Sequence, residues 1–255
     1  MIVPDFIGRA SKGSAVSNES KKKAQAATAA MQGKDKKRRT LIQIGIAVVL
    51  IALVAVIGFS VASKKSDSDA PAAAPSSTQD NGAIRIGDPN AAVVVSVVED
   101  FQCPACAQFE SISGDTLAEM VADNTVAVDY RPIAILDRMS STNYSTRAAN
   151  ASLCVAEADA SAWPAWHKAM FDQQPTEGGA GLSDDELVAI ARQAGIESPE
   201  LSSCITDGTY TDYVTSQTKA ALDEGISSTP TVSVNGTVVS NPTPDGLRAA
   251  ITAAQ

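Results

Sequence analysis

Two patterns of apolar spacing divide the chain. Residues 41–62, LIQIGIAVVLIALVAVIGFSVA, are 22 positions without a charge. At about 1.5 Å per residue they make about 33 Å of helix, enough for a hydrocarbon core of about 30 Å. Downstream the apolar positions become short and periodic. Residues 91–101, AAVVVSVVEDF, follow the turn Gly87-Asp88-Pro89-Asn90 and are apolar on both faces, as in a central buried strand. Pro104 stands where a helix takes its first turn, and Phe109, Leu117, Met120 and Val121 share one helical face. Residues 125–131, TVAVDYR, alternate as a second strand. Strand, helix, strand predicts a parallel pair joined by a right-handed crossover.

From residue 141 to about 224 the pattern turns helical. TRAANASLCVAEA is Ala-rich, Ser183 with Glu186 reads as a capping box, and Gly195 as the stop of that helix. Strands return at TVSV (231–234) and TVVS (237–240), which flank the hairpin signal Asn235-Gly236, and residues 244–254 read as a closing helix.

Composition sharpens this division. The 255 residues are 44 % hydrophobic but only 4 % aromatic, with a mean hydropathy of zero, so the apolar mass is largely Ala and Val. That excludes chain-wide disorder and a multi-span transporter. The net charge of -9 averages unlike pieces, +7 over residues 1–40 and -16 over residues 63–255. KDKKRR at 34–39 and Lys21 to Lys23 precede the apolar run, whereas only Lys64 and Lys65 follow it closely. The positive-inside rule then predicts a cell-membrane protein with one transmembrane helix at 41–62, residues 1–40 as a cytoplasmic basic tail, and an extracytoplasmic remainder. A cleaved signal is the competing reading, because Ser60-Val61-Ala62 suits a signal peptidase. The apolar run is nevertheless longer than the roughly 7–15 residues of such signals. Residues 63–82, SKKSDSDAPAAAPSSTQDNG, have the composition of a flexible linker, leaving 83–255 as the folded domain.

All four cysteines, 103, 106, 154 and 204, lie beyond the apolar run. Cys103 and Cys106 form a CPAC at a strand-to-helix junction, where unpaired N–H groups and the helix dipole lower a thiol pKa. The same spacing serves zinc, but zinc needs two more ligands, and Cys154, Cys204 and the single histidine, His167, are scattered. No metal and no cofactor is expected. A purely structural Cys103–Cys106 bridge stays open at this point. Thr229-Pro230 precedes a strand, where a cis-proline would account for the residue.

The order of elements, together with EDFQCPAC (99–106) backed by Phe109, YRPIAIL (130–136), WPAWHKAMFDQQ (163–174) and GISSTPTVSVNG (225–236), resembles the DsbA-like branch of thioredoxin-fold thiol:disulfide oxidoreductases. The resemblance implies an α/β thioredoxin fold with a helical insertion at about 138–225. It implies Cys103 as exposed nucleophile and Cys106 as buried partner, with Pro104 and Ala105 tuning the redox potential. Thr229 and Pro230 would face the pair and hold an extended substrate strand. Cys154 and Cys204 would form the structural disulfide of actinobacterial members, with a redox relay as its alternative. Reduced exported proteins would be the substrates, and a quinone-linked membrane protein of the DsbB or vitamin K epoxide reductase type the reoxidising partner; nucleic acid is not expected.

Two departures bear on mechanism. Strongly oxidising members carry Pro-His between the cysteines, and Ala105 cannot donate to a thiolate, so a less oxidising potential is expected. Many relatives bury an acid six residues before the first cysteine, where this chain has Val97. Glu99 could substitute for it, although Glu99 and Asp100 are expected rather to cap the strand end. Trp163, Trp166 and His167 are expected to pack around the insertion. The expected function is oxidation or exchange of disulfides in exported proteins, with a reductase or isomerase, or a binding or chaperone module with a structural bridge, as alternatives.

Overall fold

The computed structural model describes residues 73–255. The expected transmembrane helix at 41–62, the basic tail and the start of the linker lie outside the described residues. Among the described residues no helix is long and apolar enough to cross a membrane. The end of the expected linker packs on the domain. Ser76 Oγ donates to Glu157 at 2.7 Å, the Ser77 N–H donates to the same carboxylate at 3.1 Å, and Thr78 bridges to Ile84.

Five strands form one sheet in the order β1-β3-β2-β4-β5. The β-branched run becomes β2, Val94–Glu99, parallel to β3, Ala127–Pro132, in the register Val97 to Tyr130 and Glu99 to Pro132. All six residues of β3 are buried, as a strand covered on both faces requires. The short edge strand β1, Ile84–Ile86, runs antiparallel to β3 and had no sequence signal. On the other side β4, Thr231–Val234, pairs antiparallel with β2, and β5, Thr237–Val238, closes the hairpin. Asn235 and Gly236 both adopt positive φ, 45° and 80°, the primed turn that strand twist favours. The Asn235 side chain also clasps β2, accepting from the Val94 N–H at 2.8 Å and donating to the Ala92 carbonyl at 3.2 Å.

Between β2 and β3 the helical run has three parts: α1, Pro104–Phe109, a π-turn, Glu110–Gly114, and α2, Asp115–Ala122. A 3-10 turn, Asp137–Met139, and five α-helices separate β3 from β4. The helices are α3, Tyr144–Ala158, α4, Trp163–Asp172, α5, Asp184–Gln193, α6, Pro199–Thr206, and α7, Thr211–Asp223. Helix α3 is buried nearly throughout, and Ala148, Ala149, Ala151 and Ala156 let its neighbours approach closely. The Ser183–Glu186 capping box opens α5 as its sequence predicts. The closing helix α8, Pro244–Ala254, begins on Thr243, whose hydroxyl accepts from the Gly246 N–H. The core runs continuously from the sheet into the insertion, with Phe101, Tyr144, Trp163 and Trp166 among its largest fully buried side chains.

Candidate active site

The end of β2 and the start of α1 bring the two cysteines together. Cys103 is the N-cap of α1 in extended backbone (φ -78°, ψ 117°), and Pro104 fills the first turn, where no N–H is needed. The Cys103 carbonyl receives the N–H groups of Cys106 at 3.0 Å and Ala107 at 3.2 Å, which winds the turn under the sulfur. Both cysteines are unbridged and both are buried, so Cys103 is not the exposed group expected: the loop and the Thr229-Pro230 segment leave it 7 % of its surface and Cys106 none, while Pro104 and Ala105 are exposed.

The Thr229-Pro230 peptide is cis and lies opposite the pair, with the Cys103 thiol donating to the Thr229 carbonyl at 3.3 Å. The Cys103 pKa is lowered to about 5. The Cys106 thiol donating to the Cys103 sulfur is the largest cause; burial opposes it, and the Thr229 side chain with the N–H groups of Cys106 and Ala105 adds to it. Burial pushes the Cys106 thiol far upward. One sulfur is thus a stable thiolate and leaving group, the other a basic thiol shielded from water.

The loop before the pair is held by groups that sequence reasoning did not single out. Gln174 Nε2 donates to the carbonyls of Phe101 at 3.0 Å and Cys103 at 2.9 Å. Asp100 and Glu99 do not cap the strand end; both are fully buried. Asp100 accepts the N–H of Gln102 and that of Leu136, each at 2.9 Å, and burial pushes its carboxyl up to about 6.

Glu99 turns inward to His167, with 2.7 Å between Oε1 and Nε2. His167 therefore does more than pack. Its ring stacks on Trp163 at 4.5 Å between centroids, and Nδ1 stands 3.9 Å from Glu110 Oε2. Glu99, Glu110 and His167 are the one group among the described residues with metal-capable atoms mutually within 4.8 Å. The carboxylates lie against opposite ring nitrogens, an arrangement that bridges the imidazole rather than chelates an ion. Glu110 carried no sequence signal, because its partner enters from α4. In the helical insertion, Cys154 and Cys204, 50 positions apart in the chain, are joined in a disulfide with S–S 2.01 Å.

A family model described as Thioredoxin matches residues 79–253. Oxidised DsbA of Mycobacterium tuberculosis is 38 % identical over 68 % of this chain and 92 % of its own, with a TM-score of 0.60. The reduced disulfide bond oxidoreductase DsbG of Mycobacterium tuberculosis is 36 % identical over 73 % of this chain and 91 % of its own, with a TM-score of 0.61. Among curated proteins, the serine/threonine-protein kinase PknE of Mycobacterium tuberculosis H37Rv is 37 % identical over 145 residues, 55 % of this chain. The match spans 25 % of the kinase's length. Sheet order, dithiol helix and cis-proline agree with a match covering most of the sequence, and the chain belongs to the thioredoxin family, as a DsbA-like thiol:disulfide oxidoreductase.

Proposed function

We propose that Cys103 and Cys106 are the reacting pair and that the enzyme introduces or exchanges disulfides in exported proteins from the outer side of the membrane, tethered by residues 41–62. The observation that carries this reading is the placement of the Cys103 sulfur, at the N-cap of α1 and 3.3 Å from the Thr229 carbonyl, where its surroundings lower the thiol pKa. In the oxidising direction a substrate thiolate bonds to the Cys103 sulfur, and the electron pair of the Cys103–Cys106 bond leaves on Cys106. A second substrate thiolate attacks the substrate sulfur of the mixed disulfide, and Cys103 departs as thiolate. The backbone of Thr229 and Pro230 holds the substrate strand beside the pair, and Pro104 and Ala105 tune the potential. A quinone-linked membrane protein of the DsbB or vitamin K epoxide reductase type returns the pair to the disulfide, and tethering keeps both partners in one plane.

The full-length chain in detergent, mixed with a reduced, unfolded test protein, tests the chemistry. Oxidation by the disulfide form, lost in Cys103→Ser, is the expected result. Retention of activity in Cys103→Ser would make Cys106–Cys103 a structural pair in a binding module, and insulin reduction without oxidation would reverse the direction. Reaction of an impermeant maleimide with Lys64→Cys, but not with a cysteine placed at Lys23, in intact cells tests the orientation.

A further inference from the structure

Burying a carboxylate without a hydrogen-bond donor is costly, and native structures do so for a reason. Glu110 is such a group. It opens the π-turn between α1 and α2, keeps only 11 % of its side chain exposed, and holds Oε1 buried without a hydrogen-bond partner. His167 Nδ1 stands 3.9 Å from its Oε2, beyond hydrogen-bond reach, while the other ring nitrogen is taken by Glu99 at 2.7 Å. Burial raises the Glu110 carboxyl to about 7, against the pull of His167. The turn also clears space for the carboxylate. A Cβ on Gly114, its last residue, would stand 2.7 Å from Glu110 Oε2.

Glu110 lies in the wall of a cavity of about 630 Å³. That is within the range of about 300–1,000 Å³ typical of small-molecule sites. Ala107 of α1 and Ala118 of α2 form one side, while Tyr130 of β3 with Trp163 and Phe171 of α4 form the other. Small side chains facing aromatic rings leave an apolar slot. The charges around it do not balance. Lys168 is met by Asp172 at 3.0 Å and His167 by Glu99 at 2.7 Å. Glu110 is left with a distant, shared imidazole, and Asp115, also in the cavity wall, with no cation in ion-pair reach among the described residues.

We propose that this cavity binds a small organic ammonium with an apolar body, an arylalkylamine in its simplest form. Its N–H groups reach Glu110, and its ring lies among Tyr130, Trp163 and Phe171. Each part of the ligand matches one feature of the slot. The ammonium supplies the donors that Glu110 lacks and favours its ionised form, and no hydrogen bond among the described residues prevents that side chain from turning an oxygen towards the slot. Aromatic faces attract a cation, and the apolar walls take the body out of water. An anionic ligand would meet two unmatched acids. A bare metal ion suits the slot less, because Glu99 and Glu110 lie against opposite nitrogens of one ring. Binding involves no electron or proton transfer and does not depend on the reading of Cys103 and Cys106.

The full-length chain in non-ionic detergent is titrated with phenethylamine, phenethyl alcohol and phenylacetate. Tryptophan fluorescence reads the binding, because Trp163 and Trp166, the chain's two tryptophans, both lie on α4. Ala118→Phe, which fills the slot from an exposed helix position, is the reference that subtracts ligand dissolved in detergent. Phenethylamine is expected to bind saturably to wild type and not to Ala118→Phe, the alcohol to bind more weakly, and phenylacetate not at all. Losing a charge-assisted contact costs about tenfold to a hundredfold in affinity, and Glu110→Gln should weaken the amine by that much while leaving the alcohol unchanged. Gly114→Ala, at a helical φ of -58° that alanine adopts freely, should do the same by displacing the carboxylate, and guards against a Glu110 variant that fails to fold. Equal affinity for amine and alcohol, or wild-type amine binding in both variants, overturns the charge pairing. No saturable signal from phenethylamine overturns the site. Stoichiometric zinc that displaces phenethylamine and is lost in Glu110→Gln overturns it in favour of a metal ion.

Discussion

The Thr229 carbonyl oxygen lies 3.3 Å from Cys103 Sγ although 126 residues separate the two in the chain. One end of the sheet brings them together, because β4 leaves the cis-proline beside β2 while β2 delivers Cys103 into α1. On the proposed function, an incoming peptide strand would meet a backbone edge and a reactive sulfur in one place, the geometry that strand addition to a sheet edge requires.

The Cys103 thiolate makes the first prediction. Alkylation of the reduced chain is expected to rise through a midpoint near pH 5 and to modify Cys103 alone, as mass spectrometry of peptides would show. The same shift is a stability term. A depressed pKa stabilises the folded, reduced protein fully above the ordinary thiol value of about 9, and that contribution disappears as pH falls through about 5. Denaturant unfolding of the reduced chain should therefore lose its margin over Cys103→Ser across that window. A midpoint near 9 would remove the activated thiolate.

Gln174 holds two carbonyls of the loop that carries Cys103. Gln174→Ala should cost about 1–3 kcal/mol, since the buried Phe101 carbonyl loses a donor. Gln174→Glu should be worse at neutral pH, placing a carboxylate against two carbonyl oxygens, and should recover towards Gln174→Ala as acid protonates it. Equal stability of the three proteins in urea at neutral pH would contradict this.

The Cys154–Cys204 disulfide joins α3 to α6 across 50 residues of the insertion. On the loop-entropy account its removal costs about 4 kcal/mol. The double variant Cys154→Ala, Cys204→Ala is expected to unfold at lower denaturant while its oxidation of a reduced peptide proceeds at the wild-type rate under folding conditions. Lost exchange in a folded double variant would instead give the second disulfide a relay role.

Local chemistry was legible in the residues. CPAC at the strand end, Asn235-Gly236, Ser183 with Glu186, and Pro104 and Pro244 at first helical turns each specify their own backbone. Strand β1 was not, because three residues carry no period. Nor were the buried roles of Glu99 and Asp100. Charged residues at a strand end read as solvated caps, and only tertiary packing shows that α4 and the Gln102–Leu136 region cover them. His167 and Gln174 sit on or just after one aromatic helix whose apolar face hid two polar contacts with the site loop.

Ala105 separates the two sulfurs with a side chain that can donate to neither, and that side chain is exposed. Ala105→His would set an imidazole beside the Cys103 thiolate, where a ring N–H and, below its pKa, a positive charge both favour the ionised sulfur. Stabilising the thiolate stabilises the reduced enzyme, so the variant should be the stronger oxidant, in the direction of the most oxidising known pairs at about -120 mV. Redox equilibration against glutathione should show the midpoint moving upward and the Cys103 titration moving downward together. The gain should shrink above the imidazole pKa, where the positive charge is lost and only the neutral donor remains. A midpoint that stays put while the thiolate pKa falls would mean that the oxidised form is stabilised equally, and that the disulfide, not the thiolate, sets the potential of this enzyme.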